Sequence, residues 1–111
     1  MVSKMTRHEQ HRLSSGTARV QGHEIGSPVS LFLVHAEPGC GSGMHVHPYV
    51  ETWVVQRGEV HFTVGTESAS ASTGDIVVGP ANVPHQFINI GREKLELVCI
   101  HAAAKIEQRQ L

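Results

Sequence analysis

The sequence predicts an all-β domain, an antiparallel sandwich or barrel. Three observations carry this expectation. Short runs rich in Val, Ile and Phe recur along the chain, Gly, Pro, Asn and Ser separate them, and no helical period lies between them as a βαβ sheet would require. A chain of 111 residues is one ordinary domain, 1–111, and at this size it buries roughly two thirds of its unfolded surface. Neither a disulfide nor a metal is needed merely to hold it together.

Taken in order, the N-terminal segment containing "TRHEQHRLSSG" is polar and weakly patterned, and residues 1–20 read as a flexible arm. "SLFLVHA" (30–36), "ETWVVQ" (51–56), "EVHFTV" (59–64), "DIVVG" (75–79), "HQFINI" (85–90) and "LELVCIHA" (95–102) read as strands. Val60, Phe62 and Val64 alternate with His61 and Thr63, so that strand has one buried and one wet face. "QRGE" between the second and third strands reads as a hairpin turn, and "TESASASTG" (66–74) suits a short strand leaving a hairpin. Only "AAAKIEQRQ" near the C-terminus has helical character, giving a short C-terminal helix. No internal repeat and no second domain is visible.

Composition narrows the function classes. With Lys+Arg 9, Asp+Glu 10 and a formal charge of -1, and with the basic residues scattered, nucleic acid is not an expected partner. No apolar run approaches a signal sequence or a membrane span. Cys40 and Cys99 make no disulfide framework, so the expectation is a reduced, cytoplasmic protein acting on a small molecule. The unusual entry is histidine, nine residues against 5% aromatics, which points to chemistry.

In "GMHVHPYVE", His45 and His47 share a parity, so on a strand both imidazoles reach one point while Val46 turns away. Glu51 keeps that parity but follows Pro48, which removes a ladder donor and bends the strand. Two neutral nitrogens and one anionic oxygen form a usual ligand set for a divalent transition ion. An HxH pair alone also fits an ordinary wet strand face. A second segment, "GDIVVGPANVPHQFIN", adds His85 after a turn punctuated by Pro and Asn.

Together the two segments resemble the paired motifs of the cupin superfamily. Gly39, His45, His47, Glu51 and Gly58 fall in the register of G(x)5HxH(x)3-4E(x)6G, and Gly74, Pro80, His85 and Asn89 in that of G(x)5PxG(x)2H(x)3N. Asn82 stands where the second motif has its inner glycine, and Asn is the next residue most tolerant of positive φ. The resemblance implies a jelly-roll β-barrel, the cupin double-stranded β-helix, with one divalent transition metal held by His45, His47, Glu51 and His85. Ligand type leaves Fe, Mn, Ni, Co, Cu and Zn open. Four protein ligands on a six-coordinate ion leave two positions for substrate or dioxygen, unlike a closed structural zinc site. The activity implied first is that of a small dioxygenase-like enzyme on a chelating enol, with Glu51 also moving a proton. A metal-dependent isomerase, cyclase or decarboxylase, or a binding module, are the alternatives, and a homodimer is expected. Tyr49 and Phe87 are candidates to line the pocket, while Trp53 and Phe62 read as core and Met44 packs. Cys40 reads as a semi-exposed thiol near the cavity mouth. His101 shares parity with Leu95, Leu97 and Cys99, which gives it a route to the cavity as a proton shuttle, although a plain place on the strand is the simpler expectation. His23, His35 and His61 read as solvent-facing.

Overall fold

The computed structural model describes all 111 residues. Eleven strands follow one another: β1 (His11–Arg12), β2 (Ala18–Val20), β3 (Ser30–Ala36), β4 (His45–Val46), β5 (Glu51–Arg57), β6 (Glu59–Val64), β7 (Glu67–Ser72), β8 (Ile76–Gly79), β9 (His85–Asn89), β10 (Leu95–His101) and β11 (Arg109–Gln110). They form two antiparallel sheets, ordered β1-β2-β3-β10-β5-β8 and β11-β4-β9-β6-β7, and the only helical pieces are two single 3-10 turns. This is the all-β jelly-roll architecture.

Period-2 patterning explains how the core forms. Every second residue of β10 is buried, so Leu95, Leu97, Cys99 and His101 face inward. Val34 and Ala36 of β3 and Trp53 and Val55 of β5 join them from the same sheet. Val60, Phe62, Ala71 and Phe87 meet them from the other sheet, and the Trp53 and Phe62 rings lie 4.8 Å apart. Burying an aromatic or aliphatic side chain of this size is worth about 1.5–3 kcal/mol each, which is ample for a fold without cross-links.

Three expectations are corrected. "QRGE" is a corner between sheets, because β5 pairs with β10 and β8 whereas β6 pairs with β7 and β9. Gly58, at φ 99°, allows the chain to change layers there, where a hairpin would have kept both strands in one layer. The C-terminal helix is absent: the chain bends over Ala102–Lys105 and then adds β11 beside β4, with Arg109 opposite Val46 and Gln110 opposite His45. An isolated helix of nine residues is marginal in water, and here the segment finds better partners. Ala103 O accepts from Ser30 Oγ at 2.7 Å, Ala104 O from His23 N–H at 2.8 Å, and Ile106 N–H donates to Gln21 Oε1 at 3.0 Å. Within the expected arm, β2 pairs with β3 and buries Ala18 and Val20, and β1 pairs with β2, so the part of 1–20 from His11 onward belongs to the sheet.

Candidate metal centre

Two cross-strand pairs, one from each sheet, face each other across the interior. His45 on β4 lies opposite His85 on β9, and Glu51 on β5 lies opposite His101 on β10. Directly opposed residues share a face, so each pair points its side chains the same way. His47, just past β4, comes into the gap, and the turn through Pro48 returns the chain so that Glu51 starts the facing sheet. The second motif braces the first: Asn82 N–H donates to His47 O at 2.9 Å. Asn82 is the one non-glycine residue at positive φ (63°), as its place in the motif requires. Asn89 ends β9 by donating to Ala36 O and Glu93 O and accepting from Gly91 N–H, so this motif residue is a structural tie.

His45, His47, Glu51 and His85 are all buried, and one ligating atom from each lies within 4.8 Å of the others. Glu51 Oε1 is 2.8 Å from His47 Nε2 and 3.2 Å from His85 Nε2. The opposite ring edges are all committed to backbone carbonyls. His45 Nδ1 donates to Gly43 O at 2.9 Å, His47 Nδ1 to Tyr49 O at 2.8 Å, and His85 Nδ1 to Val83 O at 2.9 Å. A carbonyl only accepts, so Nδ1 carries the proton in each ring, and a neutral ring then turns an Nε2 lone pair toward the others. With all three rings neutral, as an ion requires, three lone pairs and a carboxylate are four acceptors with no donor among them. Such a set repels itself unless a cation lies between its members, and it is the donor chemistry of a transition-metal site. The residues present therefore fit a divalent ion.

Protonation follows the same geometry. Burial pushes His45 below the ordinary histidine value, outweighing the Gly43 carbonyl that favours its charge. Burial also disfavours charge on His85, but the hydrogen bonds to Glu51 and Val83 and the Glu51 charge together raise it. For Glu51, burial opposes ionisation, yet hydrogen bonds from His101, His47 and His85 hold it well below the usual carboxylate range. In the metal-free protein Glu51 therefore favours the protonated form of His85. Cys99 stays a thiol, pushed up by complete burial and the Glu51 charge, so no thiolate joins the set.

The site opens into a cavity of about 490 Å³ whose walls include Phe32, Val34 and Phe87, with His45, Glu51, Cys99 and His101 at its floor. Leu13, Ser15 and Thr17, from the segment expected to be a free arm, and Gln108 from the C-terminal segment complete its rim. Cys40 is exposed and lines the cavity, and both cysteines are free. Phe87 lines the cavity as expected, while Trp53 and Phe62 are core. Trp53 also stands edge-on to His85, with ring centroids 5.2 Å apart, and its Nε1–H is buried without a hydrogen-bond partner. His101, which strand parity allowed but did not require at the cavity, is at the site, with Nε2 3.3 Å from Glu51 Oε2. Of the histidines read as solvent-facing, His23 is exposed, while His35 and His61 are half-buried.

Two facing antiparallel sheets enclosing a buried three-histidine, one-glutamate set define a jelly-roll protein with a candidate metal centre. The chain belongs to the cupin family, since the family model for the Cupin domain matches residues 32–101. Among solved structures it is similar to the Bacillus subtilis oxalate decarboxylase, a protein with Mn(II) centres, with a TM-score of 0.85 and 23% identity over 93% of this chain and 30% of that one. The Lactobacillus farciminis oxalate decarboxylase in its formate complex gives a TM-score of 0.79 and 20% identity over 92% of this chain and 33% of that one. At these identities the likeness establishes the fold, and the chain spans about a third of the length of either enzyme. A comparison with curated proteins finds no matching relative. No helix is long and apolar enough to cross a membrane.

Proposed function

We propose that the protein is a metal-dependent cupin enzyme in which His45, His47, Glu51 and His85 hold one divalent transition ion, acting as a dioxygenase on a chelating small molecule. The observation that carries the reading is the common orientation of the three imidazoles. Each Nδ1–H is tied to a backbone carbonyl, so three Nε2 lone pairs and one carboxylate converge, with His45 and Glu51 reaching the wall of a cavity. A bound divalent ion supplies Lewis acidity to substrate oxygens and, when redox-active, electrons for dioxygen chemistry.

The chain's own residues supply the rest. Phe32, Val34 and Phe87 offer apolar walls to the body of a substrate and keep water from its reacting end. Glu51 is placed to take a proton from a chelating enol, and His101 beside its other oxygen keeps a proton-bearing group within reach. The cavity-lining side chains include no Lys or Arg, so a substrate that is neutral or singly charged suits these walls better than a dianion. The second reading, a decarboxylase without net redox change, draws its support from the fold shared with the two oxalate decarboxylases. Two free cysteines accord with a reducing, cytoplasmic setting.

A homodimer belongs to the same proposal. On the outer face of the first sheet, cross-strand pairing aligns Ile76, Val54, Val98 and Leu33 in one row and Val78, Thr52, Ile100 and Leu31 in the next. A sheet face turned to water is ordinarily polar, whereas here Ile76 and Val78 are 65% and 55% exposed. These two rows are aliphatic apart from Thr52, with the Glu96–His35 pair in the adjoining row, and such a patch is complementary to a second copy of itself.

The test is metal analysis of purified protein, followed by dioxygen uptake with Fe(II) and Mn(II) forms against a panel of enols and diketones. Uptake is expected with at least one pair, and Glu51→Gln should then lose about ten-fold or more activity per bound ion. Turnover with redox-inert Zn(II) would favour the second reading. Ligand binding without turnover in any form would make the protein a binding module.

A further inference from the structure

The hydrogen bonds at His101 run in the opposite sense to those at the three candidate ligands. Glu51 uses its oxygens separately: Oε1 meets His47 Nε2 and His85 Nε2, while Oε2 meets His101 Nε2 at 3.3 Å. A carboxylate only accepts, so at this 3.3 Å contact Nε2 can face Oε2 only as N–H, and in the neutral ring Nδ1 must accept. Its partner there is Tyr49 Oη at 2.7 Å. That hydroxyl accepts from Glu107 N–H at 3.3 Å, which leaves its own proton for His101. Hydrogen bonds thus run from the Glu107 backbone to Tyr49 and on to His101, whose Nε2 makes the 3.3 Å contact with Glu51 Oε2. Tyr49 Oη is the one hydrogen-bond partner of His101 Nδ1, and His101 is 1% exposed.

We infer that Tyr49 and His101 are positioning residues that hold Glu51 by Oε2, so that Oε1 alone is presented to the ion. The inference rests on the reading of His45, His47, Glu51 and His85 as ligands. Tyr49 acts on a second ligand as well. Its carbonyl takes the His47 Nδ1–H at 2.8 Å, and its ring stacks on the His47 ring at 4.3 Å and 11°. One residue in the turn between β4 and β5 thereby fixes the imidazole before it and, through His101, the carboxylate after it. Phe32 packs on His101 from the other side, with centroids 5.1 Å apart, and limits rotation of that ring. Restricting Glu51 to one oxygen keeps a second position on the ion free, which a carboxylate bound through both oxygens would fill.

Loading the full chain with Co(II) tests this without a substrate, because its visible absorption bands report coordination number and geometry and a competing chelator gives the affinity. Tyr49→Phe keeps the stacked ring and the carbonyl but removes the hydroxyl, His101→Leu removes the donor, and His101→Gln restores an N–H near the position of Nε2. The wild type should bind one Co(II). Tyr49→Phe and His101→Leu should each weaken it by ~10-fold or more, as loss of an orienting partner does, and shift its absorption bands. His101→Gln should retain the wild-type bands, and the double variant should be no weaker than His101→Leu, because the two residues act in series. Circular dichroism checks folding, and if His101→Leu does not fold, Tyr49→Phe decides alone. Wild-type bands and an affinity within two-fold in Tyr49→Phe and His101→Leu would overturn the inference and leave the ligand reading standing, even with a lowered melting temperature. A wild-type protein that takes up no Co(II) would overturn the ligand reading and this inference with it.

Discussion

Replacing His85 with Ala removes a fully buried ring that faces Glu51 at 3.2 Å and Trp53 at a centroid distance of 5.2 Å. Two separable losses follow. In the metal-free protein, truncating a buried ring of this size costs about 2–4 kcal/mol, as large-to-small core changes do. In the metal-loaded protein the variant also loses ligand-linked stabilisation. An ion at 100 times its Kd stabilises the wild type by about 2.7 kcal/mol, which for a domain of this size raises Tm by roughly 10–15 °C. Loss of an orienting partner alone weakens metal sites by about 10–100-fold, so loss of a direct donor should reach at least the upper figure. At the same metal concentration the ratio to Kd then falls to about 1, the linked term falls to about 0.4 kcal/mol, and the upshift shrinks to roughly 2 °C. The assay is a pair of thermal scans, with metal and with chelator, for wild type and variant. Trp53, the single tryptophan, provides the signal. Because it adjoins His85, its emission should also be quenched by one equivalent of open-shell Cu(II) or Co(II) in the wild type. An equal metal-induced upshift in both proteins would refute His85 as a ligand, whatever the stability of the metal-free variant.

The remaining predictions concern protons and assembly. His85 is raised in the metal-free protein, so its contribution to stability is full below the ordinary value of about 6.5 and is lost as pH rises through its folded value. Glu51 is depressed, so its contribution is present above about 4.5 and is lost as pH falls through its folded value. An ion must displace the proton at His85, so the metal-induced Tm upshift should be larger at pH 8 than at pH 6, and binding at pH 6 should release protons measurable by calorimetry in buffers of different ionisation enthalpy. An upshift independent of pH down to about pH 4 would argue against histidine ligands. Light scattering should give the mass of two chains for the wild type and one chain for an Ile76→Asp, Val78→Asp variant, because both side chains are exposed in the single chain and are covered only on association. A single-chain mass for the wild type at high concentration would refute the proposed dimer.

The sequence by itself determined the strands and most of the candidate site. The periods of β3, β6, β9 and β10 are local properties of the chain, and the parity of His45 and His47 survives any tertiary arrangement that keeps that segment extended. Asn82 was legible for the same reason, because the φ it adopts is set by a turn a few residues long. Where partners lie far apart in sequence, only the tertiary structure decided. Whether "QRGE" closes a hairpin or turns a corner depends on which ladders β5 and β6 join, and both join strands that come later in the chain. The C-terminal segment has helical propensity worth a few tenths of a kcal/mol per residue, which gives way to hydrogen bonds with Gln21, Ser30 and β4 that the local sequence does not reveal. His101 reaches Glu51 because β10 pairs with β5 at that register, and Tyr49 reaches His101 across 52 positions of sequence. Spacing could place four candidate ligands in two segments, but only the pairing of sheets could bring His101, and Tyr49 behind it, to Glu51.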